Sequence, residues 1–286
     1  MALSWNLDID ESISFDEFLD YMRSRGASLF REGFDEAAVY MRRIANNRVF
    51  LVEQINNDLK NLKTFQAGNP FTGQVFVLRV HEHFGVRAAI WQPPKGRAAD
   101  EMFLYEDAHD HNYNFLTVGY HGPGYRTRIY EYDHDDVIGY EGEPVELRFL
   151  EETTLPFGKV ILFRNGRDIH TQYPPEALSI SLNVLERIDE QRRDQYGFNV
   201  EARTIRGKID QVPGLLVIRL ASALAADESI ELLGEIMTKH SSRRIRLAAY
   251  EAVADHRGVA TWERAMDDAD RLVRHVAAQR LRAGAR

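Results

Sequence analysis

His109, Asp110 and His111 place two histidines two positions apart, and a third, His170, follows in the segment Asn165-Gly166-Arg167-Asp168-Ile169-His170. On an extended chain residues i and i+2 project to the same side, so both rings of an H-x-H step can reach one ion. Three imidazoles in a facial set leave open positions on a divalent metal, which is the arrangement needed to hold a substrate beside O₂.

The segments around these histidines read as the strands that must position them. Tyr113–Tyr120 has strand character, His121-Gly122-Pro123-Gly124 reads as a tight turn, and Tyr125–Tyr132 reads as the returning strand. Val145–Leu150, Gly158–Arg164 and Leu178–Leu185 add further strands, with Asn165-Gly166 as a turn before His170. Many short strands separated by turns predict a closed or sandwiched antiparallel sheet, whose mouth suits a small molecule.

The block from about Val75 to Leu185 resembles a cupin, and within the cupins it is similar to the cysteine dioxygenase group of thiol dioxygenases. The resemblance is carried by His109-Asp110-His111, Phe115-Leu116-Thr117-Val118-Gly119, Ile169-His170 and Ala177-Leu178-Ser179-Ile180-Ser181-Leu182, in that order. As in that group, no glutamate follows the H-x-H step, where Asn114, Phe115 and Leu116 stand. The resemblance implies metal ligation by His109, His111 and His170, with iron(II) as the metal and O₂ as co-substrate; another divalent ion is the alternative. It also implies an arginine for a substrate carboxylate, for which Arg79 is the nearest counterpart, with Trp91 where the group often has tryptophan. Arg87, Arg126, Arg128 and Arg164 also lie on or near the expected strands, and a guanidinium fork suits a carboxylate. Arg79, Arg126, Arg128, Tyr130 and Ser181 are the expected substrate contacts. The group's Ser-x-His-x-Tyr set on the last strand is replaced here by Ser179-Ile180-Ser181-Leu182-Asn183. Groups around a ligand tune the metal, so this departure points away from cysteine as substrate. A thioether crosslink is excluded, because the chain has no cysteine.

Helical patterns flank the strands. Ser14 to Glu17 reads as a capping box, Phe15, Phe18, Leu19 and Met22 follow at helical spacing, and Gly26 is the expected stop. A longer stripe, Met41, Ile44, Leu51, Ile55, Leu59 and Leu62, predicts one helix over about 36–62. After a charged connector beginning at Asp189, three similar segments start at Ile218, Ile245 and Val273 at near-equal intervals. That recurrence predicts stacked helical pairs resembling short HEAT-like repeats, modules that mediate assembly or bind protein. The expected fold is therefore α+β and multidomain, with a helical N-terminal segment (1–68), an antiparallel cupin β-barrel carrying the metal site (69–190), and a connector with HEAT-like helical repeats (191–286).

Composition bounds the rest. The chain has 286 residues, 44% of them hydrophobic, enough for sizeable cores. Its net charge of −8 disfavours a phosphate-binding surface, so nucleic acid is an unexpected partner. There is no long apolar run and no basic-plus-apolar leader, so neither membrane nor export is expected. The absence of cysteine excludes disulfides and thiolate metal sites and fits a cytoplasmic protein. His81-Glu82-His83 is a second H-x-H step without a matching third histidine, and His121 and His134 read as solvated surface. Asp133, Asp135 and Asp136 lack the full spacing and terminal glutamate of a calcium loop. No P-loop, dinucleotide fingerprint or G-x-S-x-G elbow occurs.

Two classes of function fit these residues. One is a mononuclear non-haem iron oxygenase acting on a small amino-acid-like or carboxylate-bearing substrate. The other is a metal-dependent binding or sensor protein that signals through its helical repeats, with redox-neutral isomerase or lyase chemistry between the two. The expected partners are a small-molecule substrate and, through the repeats, a second copy forming a homodimer or another protein.

Overall fold

The computed structural model describes residues 3–61, 63–69, 73–96, 103, 105–187, 193–212 and 214–284. They form two compact units, one of residues 1–134 and 144–206 and the other of residues 135–143 and 207–286. The domain boundary read from sequence was 190/191, whereas residues 193–206 belong to the unit that carries the histidines. Leu62 and Asp189 lie outside the described residues.

The first unit opens with strand β1 (Leu3–Asn6) and helices α1 (Phe15–Arg25), α2 (Phe34–Asn46) and α3 (Phe50–Leu59). The capping box forms as expected: Ser14 and Glu17 satisfy each other's backbone N–H groups, and Gly26 ends α1 with φ of 50°. The single helix expected over 36–62 is two. Asn47 takes extended backbone, and its side-chain oxygen accepts from Val49 N (3.2 Å) and Phe50 N (3.1 Å), ending α2 and starting α3.

The strands that follow are β2 (Val75–Val80), β3 (Phe84–Trp91), β4 (Phe115–His121), β5 (Arg126–Glu131), β6 (Arg148–Thr154), β7 (Lys159–Phe163), β8 (Asp168–Tyr173), β9 (Ser179–Glu186), β10 (Tyr196–Asn199) and β11 (Thr204–Lys208). Among the described residues they make a six-stranded sheet, β1-β7-β4-β9-β3-β2, a three-stranded sheet, β6-β5-β8, and the pair β10-β11. The expected closed barrel is not formed: the six-stranded sheet ends at β1 and β2 without joining the other sheet.

The strands on either side of 121–124 do not form the expected hairpin. β4 pairs with β7 and β9, whereas β5 pairs with β6 and β8, so the turn carries the chain from one sheet to the other. Leu155 and Pro156 wedge against this crossing. A Cβ on Gly124, whose φ is 80°, would lie 1.9 Å from Leu155 O, and one on Gly119 would lie 2.0 Å from Pro156 O.

Strand alternation then sorts the core. Val86, Ala88, Leu116, Val118, Leu182 and Val184 face α1, α2 and α3 in one cluster, while Ala89, Trp91, Phe115 and Leu185 face inward to meet Tyr125 and Ile129 of the other sheet's side. Arg87, Thr117, Ser181 and Asn183 share that inward parity. Both faces of the sheet are covered, which explains why β4 is buried through six successive residues.

The second unit contains α4 (Leu215–Leu224), α5 (Asp227–Lys239), α6 (Arg243–Arg257), α7 (Ala260–Ala265) and α8 (Arg271–Gly284). The HEAT-like stack expected here is not what forms. In place of an extended solenoid the helices gather around α6, which packs on α4, α5, α7 and α8, and α7 has only 6 residues. The recurring segments lie on α4, α6 and α8, and Ile218, Ile245 and Val273 enter one shared core. The recurrence thus records three helices feeding a single cluster. The same unit holds the loop 135–143, where Arg243, Arg244 and Arg271 donate to the carbonyls of Ile138, Gly139 and Asp135.

Candidate metal centre

His109, His111 and His170 come together, all buried, with one ring nitrogen of each lying within 4.8 Å of the others. Among the described residues this is the group of metal-ligating side chains that converges. His170 stands at the middle of β8. His109 lies opposite it as an isolated bridge, with His109 N donating to His170 O (3.1 Å) and His170 N to His109 O (2.9 Å). On its other side the 108–110 segment pairs with β10, through Phe198 N to Ala108 O (2.8 Å) and Asp110 N to Tyr196 O (3.1 Å). The H-x-H step is therefore an extended stretch held between two strands.

The Nε2 atoms of His111 and His170 are 2.9 Å apart, and those of His170 and His109 are 3.2 Å apart. Two nitrogens each about 2.1 Å from one ion lie roughly 3.0 Å apart at a right angle and roughly 3.4 Å apart at a tetrahedral angle. Both separations fit ligation of a single divalent ion. His109 Nδ1 lies 2.8 Å from Asp107 O, and because a carbonyl only accepts, Nδ1 carries the proton and Nε2 presents its lone pair.

Burial lowers the proton affinity of all three rings, most strongly for His111 and His170. For His111 the neighbouring histidines and the Arg87 guanidinium add to the effect. The rings are thus neutral donors near neutral pH, as metal binding requires. His170 packs on Phe163 with ring centroids 4.3 Å apart, and His111 on the edge of Phe115 at 4.7 Å. His170 Nδ1 is buried without a hydrogen-bond partner.

A polar lattice lies on the inward face of the six-stranded sheet. Trp91 Nε1 donates to Ser181 Oγ (3.0 Å), while Thr117 Oγ1 (2.6 Å) and Ser181 Oγ (3.3 Å) both donate to Asn183 Oδ1. Arg87 stands directly opposite Asn183 in the β3–β9 register. Tyr125, hydrogen-bonded to Gln172 and Thr117, is held protonated by burial, its pKa pushed up to about 12.

The remaining residues expected to contact a substrate lie elsewhere, apart from Ser181. In the β5–β8 register Ile129 is opposite His170, so Arg126, Arg128 and Tyr130 project from the other face of that sheet. Arg126 and Arg128 are instead paired with Glu152. Arg79 is exposed on edge strand β2, beyond a register shift at Val77 and Arg79. Arg164 binds Asp168 and Glu131.

Asp110, Tyr132 and Tyr196 form a buried group next to the histidines that was not among the expected site residues. Asp110 is fully buried; its carboxylate accepts from Tyr132 OH and from Tyr196 N, the latter at 2.6 Å. Its place between two histidines was a visible signal, whereas nothing in the sequence linked it to Tyr132 or Tyr196. His134, expected at the surface, is buried, with its ring stacked on Tyr196 and Nε2 3.1 Å from Asp194 O.

Fold and site together define a protein of two facing antiparallel sheets with a buried three-histidine centre suited to a divalent metal. No protein-family model matches the chain, and no curated protein matches it. Among solved structures it is similar to hydroquinone 1,2-dioxygenase from Sphingomonas sp. TTNP3, at 12% identity and a TM-score of 0.29, over 45% of this chain and 76% of that one. A salicylate 1,2-dioxygenase from Pseudaminobacter salicylatoxidans aligns at 10% identity and a TM-score of 0.26, over 47% of this chain and 33% of that one. A cupin domain from Bordetella pertussis Tohama I aligns at 11% identity and a TM-score of 0.22, over 40% of this chain and 92% of that one. No helix among the described residues is long and apolar enough to cross a membrane.

Proposed function

We propose that the protein is a mononuclear non-haem iron oxygenase of cupin type, with open sheets, acting on a small amino-acid-like or carboxylate-bearing substrate with O₂. The observation that carries this reading is the convergence of three neutral imidazoles with no carboxylate in the set. Such a set leaves a bound divalent ion its full charge and several exchangeable positions, and iron(II) there would supply O₂ activation. His109, His111 and His170 would hold the ion. Arg87, inward-facing and close enough to lower the proton affinity of His111, has the chemistry to orient a carboxylate. Tyr125 keeps its proton and offers a hydrogen-bond donor.

Anaerobic loading with Fe(II), followed by metal analysis and O₂-uptake measurement across amino acids, thiols and aromatic acids, tests the assignment. Substrate-dependent O₂ uptake supports it. Tight ligand binding without turnover would favour the sensor reading, and O₂-independent conversion with Zn²⁺, Mn²⁺ or Ni²⁺ would favour an isomerase or lyase. Because Ser181 and Asn183 stand where the thiol dioxygenases carry a histidine and a tyrosine, cysteine is expected to be a poor substrate. Rapid formation of cysteine sulfinate would overturn that expectation.

A partner is proposed for the helical unit. Leu216, Val217, Leu220 and Leu224 of α4 are 76, 66, 58 and 71% exposed and fall within one arc of the helix, with no charge among them. They amount to an apolar stripe on the order of 500 Å², which in two copies approaches the lower range of a specific interface. An uncharged, 3-4 spaced seam is self-complementary, so a second copy about a two-fold axis is the proposed occupant. Light-scattering mass of the full chain and of Leu220→Glu checks this, and a wild type that stays monomeric at high concentration would exclude it.

A further inference from the structure

We propose that Asp110 and Tyr132 are positioning residues that set the direction of the two histidines on either side of Asp110. The inference rests on the metal reading above, but it concerns groups that touch no ligand position. It starts from the irregular backbone of the ligand segment. His109 makes only bridges, to His170 and Gly197, regular strand begins at Phe115, and His111 is tied by a backbone bond in which its carbonyl accepts from Gly166 N (2.8 Å), so no continuous ladder fixes where its ring points. Asp110 adds a further constraint from the residue before it.

Its backbone N–H donates to Tyr196 O (3.1 Å), its carbonyl accepts from Gln195 Nε2 (2.7 Å), and its carboxylate accepts from Tyr196 N (2.6 Å) and Tyr132 OH. Side chains alternate along an extended segment, so pinning Asp110 away from the centre turns both histidines toward it. Tyr132 is itself fixed. Its backbone N–H donates to Arg167 O (3.0 Å), just before β8, and its ring packs against Phe198 of β10. The phenol therefore references the H-x-H step to the element that carries the third ligand. An error of even half an ångström at Nε2 matters to a three-ligand site, and supports of this kind are typically worth 10–100-fold in metal affinity.

The test uses Co²⁺ as the probe with the full-length protein. Affinity and visible absorption spectrum are measured for wild type, Tyr132→Phe, Asp110→Ala and Asp110→Asn, beside the melting temperature of each metal-free protein. Tyr132→Phe and Asp110→Ala are expected to weaken Co²⁺ binding at least tenfold and to alter its spectrum. Asp110→Asn, which can still accept from Tyr196 N, is expected to recover part of the affinity. Should Asp110→Ala fail to fold, Tyr132→Phe and Asp110→Asn decide the matter. Wild-type affinity and spectrum in those variants, even with a lowered melting temperature, would show a merely structural role and overturn the proposal. Failure of the wild type itself to bind Co²⁺ would instead remove the metal reading beneath it.

Discussion

His109 and His170 lie 61 residues apart and exchange both of their backbone hydrogen bonds, at 3.1 and 2.9 Å. Residues so paired in antiparallel chains project to the same face. The two rings are consequently brought together by main-chain pairing before any ion binds, and His111, two positions on, joins them by alternation.

The first prediction follows from that shared face. His170→Ala removes one of three ligands and leaves two, so metal retention after dialysis should fall from about one ion per chain to near zero. Elemental analysis of the purified variant is the check. Stoichiometric metal in His170→Ala would show that the centre lies elsewhere.

Arg87 carries the second. A charge-assisted hydrogen bond to a carboxylate is worth roughly 1.5–3 kcal/mol, so Arg87→Ala should raise KM about 10–100-fold for a carboxylate substrate found by O₂ uptake. Arg79→Ala, on an exposed edge strand, should leave it unchanged. Equal effects of the two substitutions would remove Arg87 from the site.

The third concerns where the chain can be cut. A chain ending at Gln195 loses β10 and with it the bonds from Phe198 N to Ala108 O and from Tyr196 N to the Asp110 carboxylate. It should lose its metal, whereas a chain ending at Lys208 should keep it. Metal content and circular dichroism of both truncations decide the point; full metal in the shorter chain would show β10 to be dispensable.

Tyr125 gives a fourth, in alkali. Its phenol is neutral in the folded protein and its pKa is raised from 10.0 to about 12, so the folded state binds the proton more tightly than the unfolded state. The resulting stability is complete below pH 10 and is lost as the pH rises from there toward 12, by roughly 2–3 kcal/mol. Urea midpoints measured across that range should fall, and Tyr125→Phe should flatten the decline. An equal decline in Tyr125→Phe would assign it to other groups.

Local chemistry made much of this legible from sequence. Period-two spacing marked His109 and His111, the Ser14–Glu17 pattern marked the start of α1, and strand-forming runs between turns marked β4, β5, β7 and β9. These depend on neighbours within a few residues, which the chain order already specifies. Which strand pairs with which depends on contacts distant in sequence. A turn of suitable residues at 121–124 could close a hairpin or cross between sheets; in the fold it crosses, with Leu155 and Pro156 packed closely against Gly119 and Gly124. The face on which Arg126, Arg128 and Tyr130 lie depended on register, since a shift of one residue would turn them toward His170. Recurrence at 218, 245 and 273 could not distinguish a stack from a cluster, because both bury the same apolar positions. Asp110 beside its histidines was in the sequence from the start; that Tyr132 and Tyr196 hold it was decided by tertiary structure, where strands remote along the chain become neighbours.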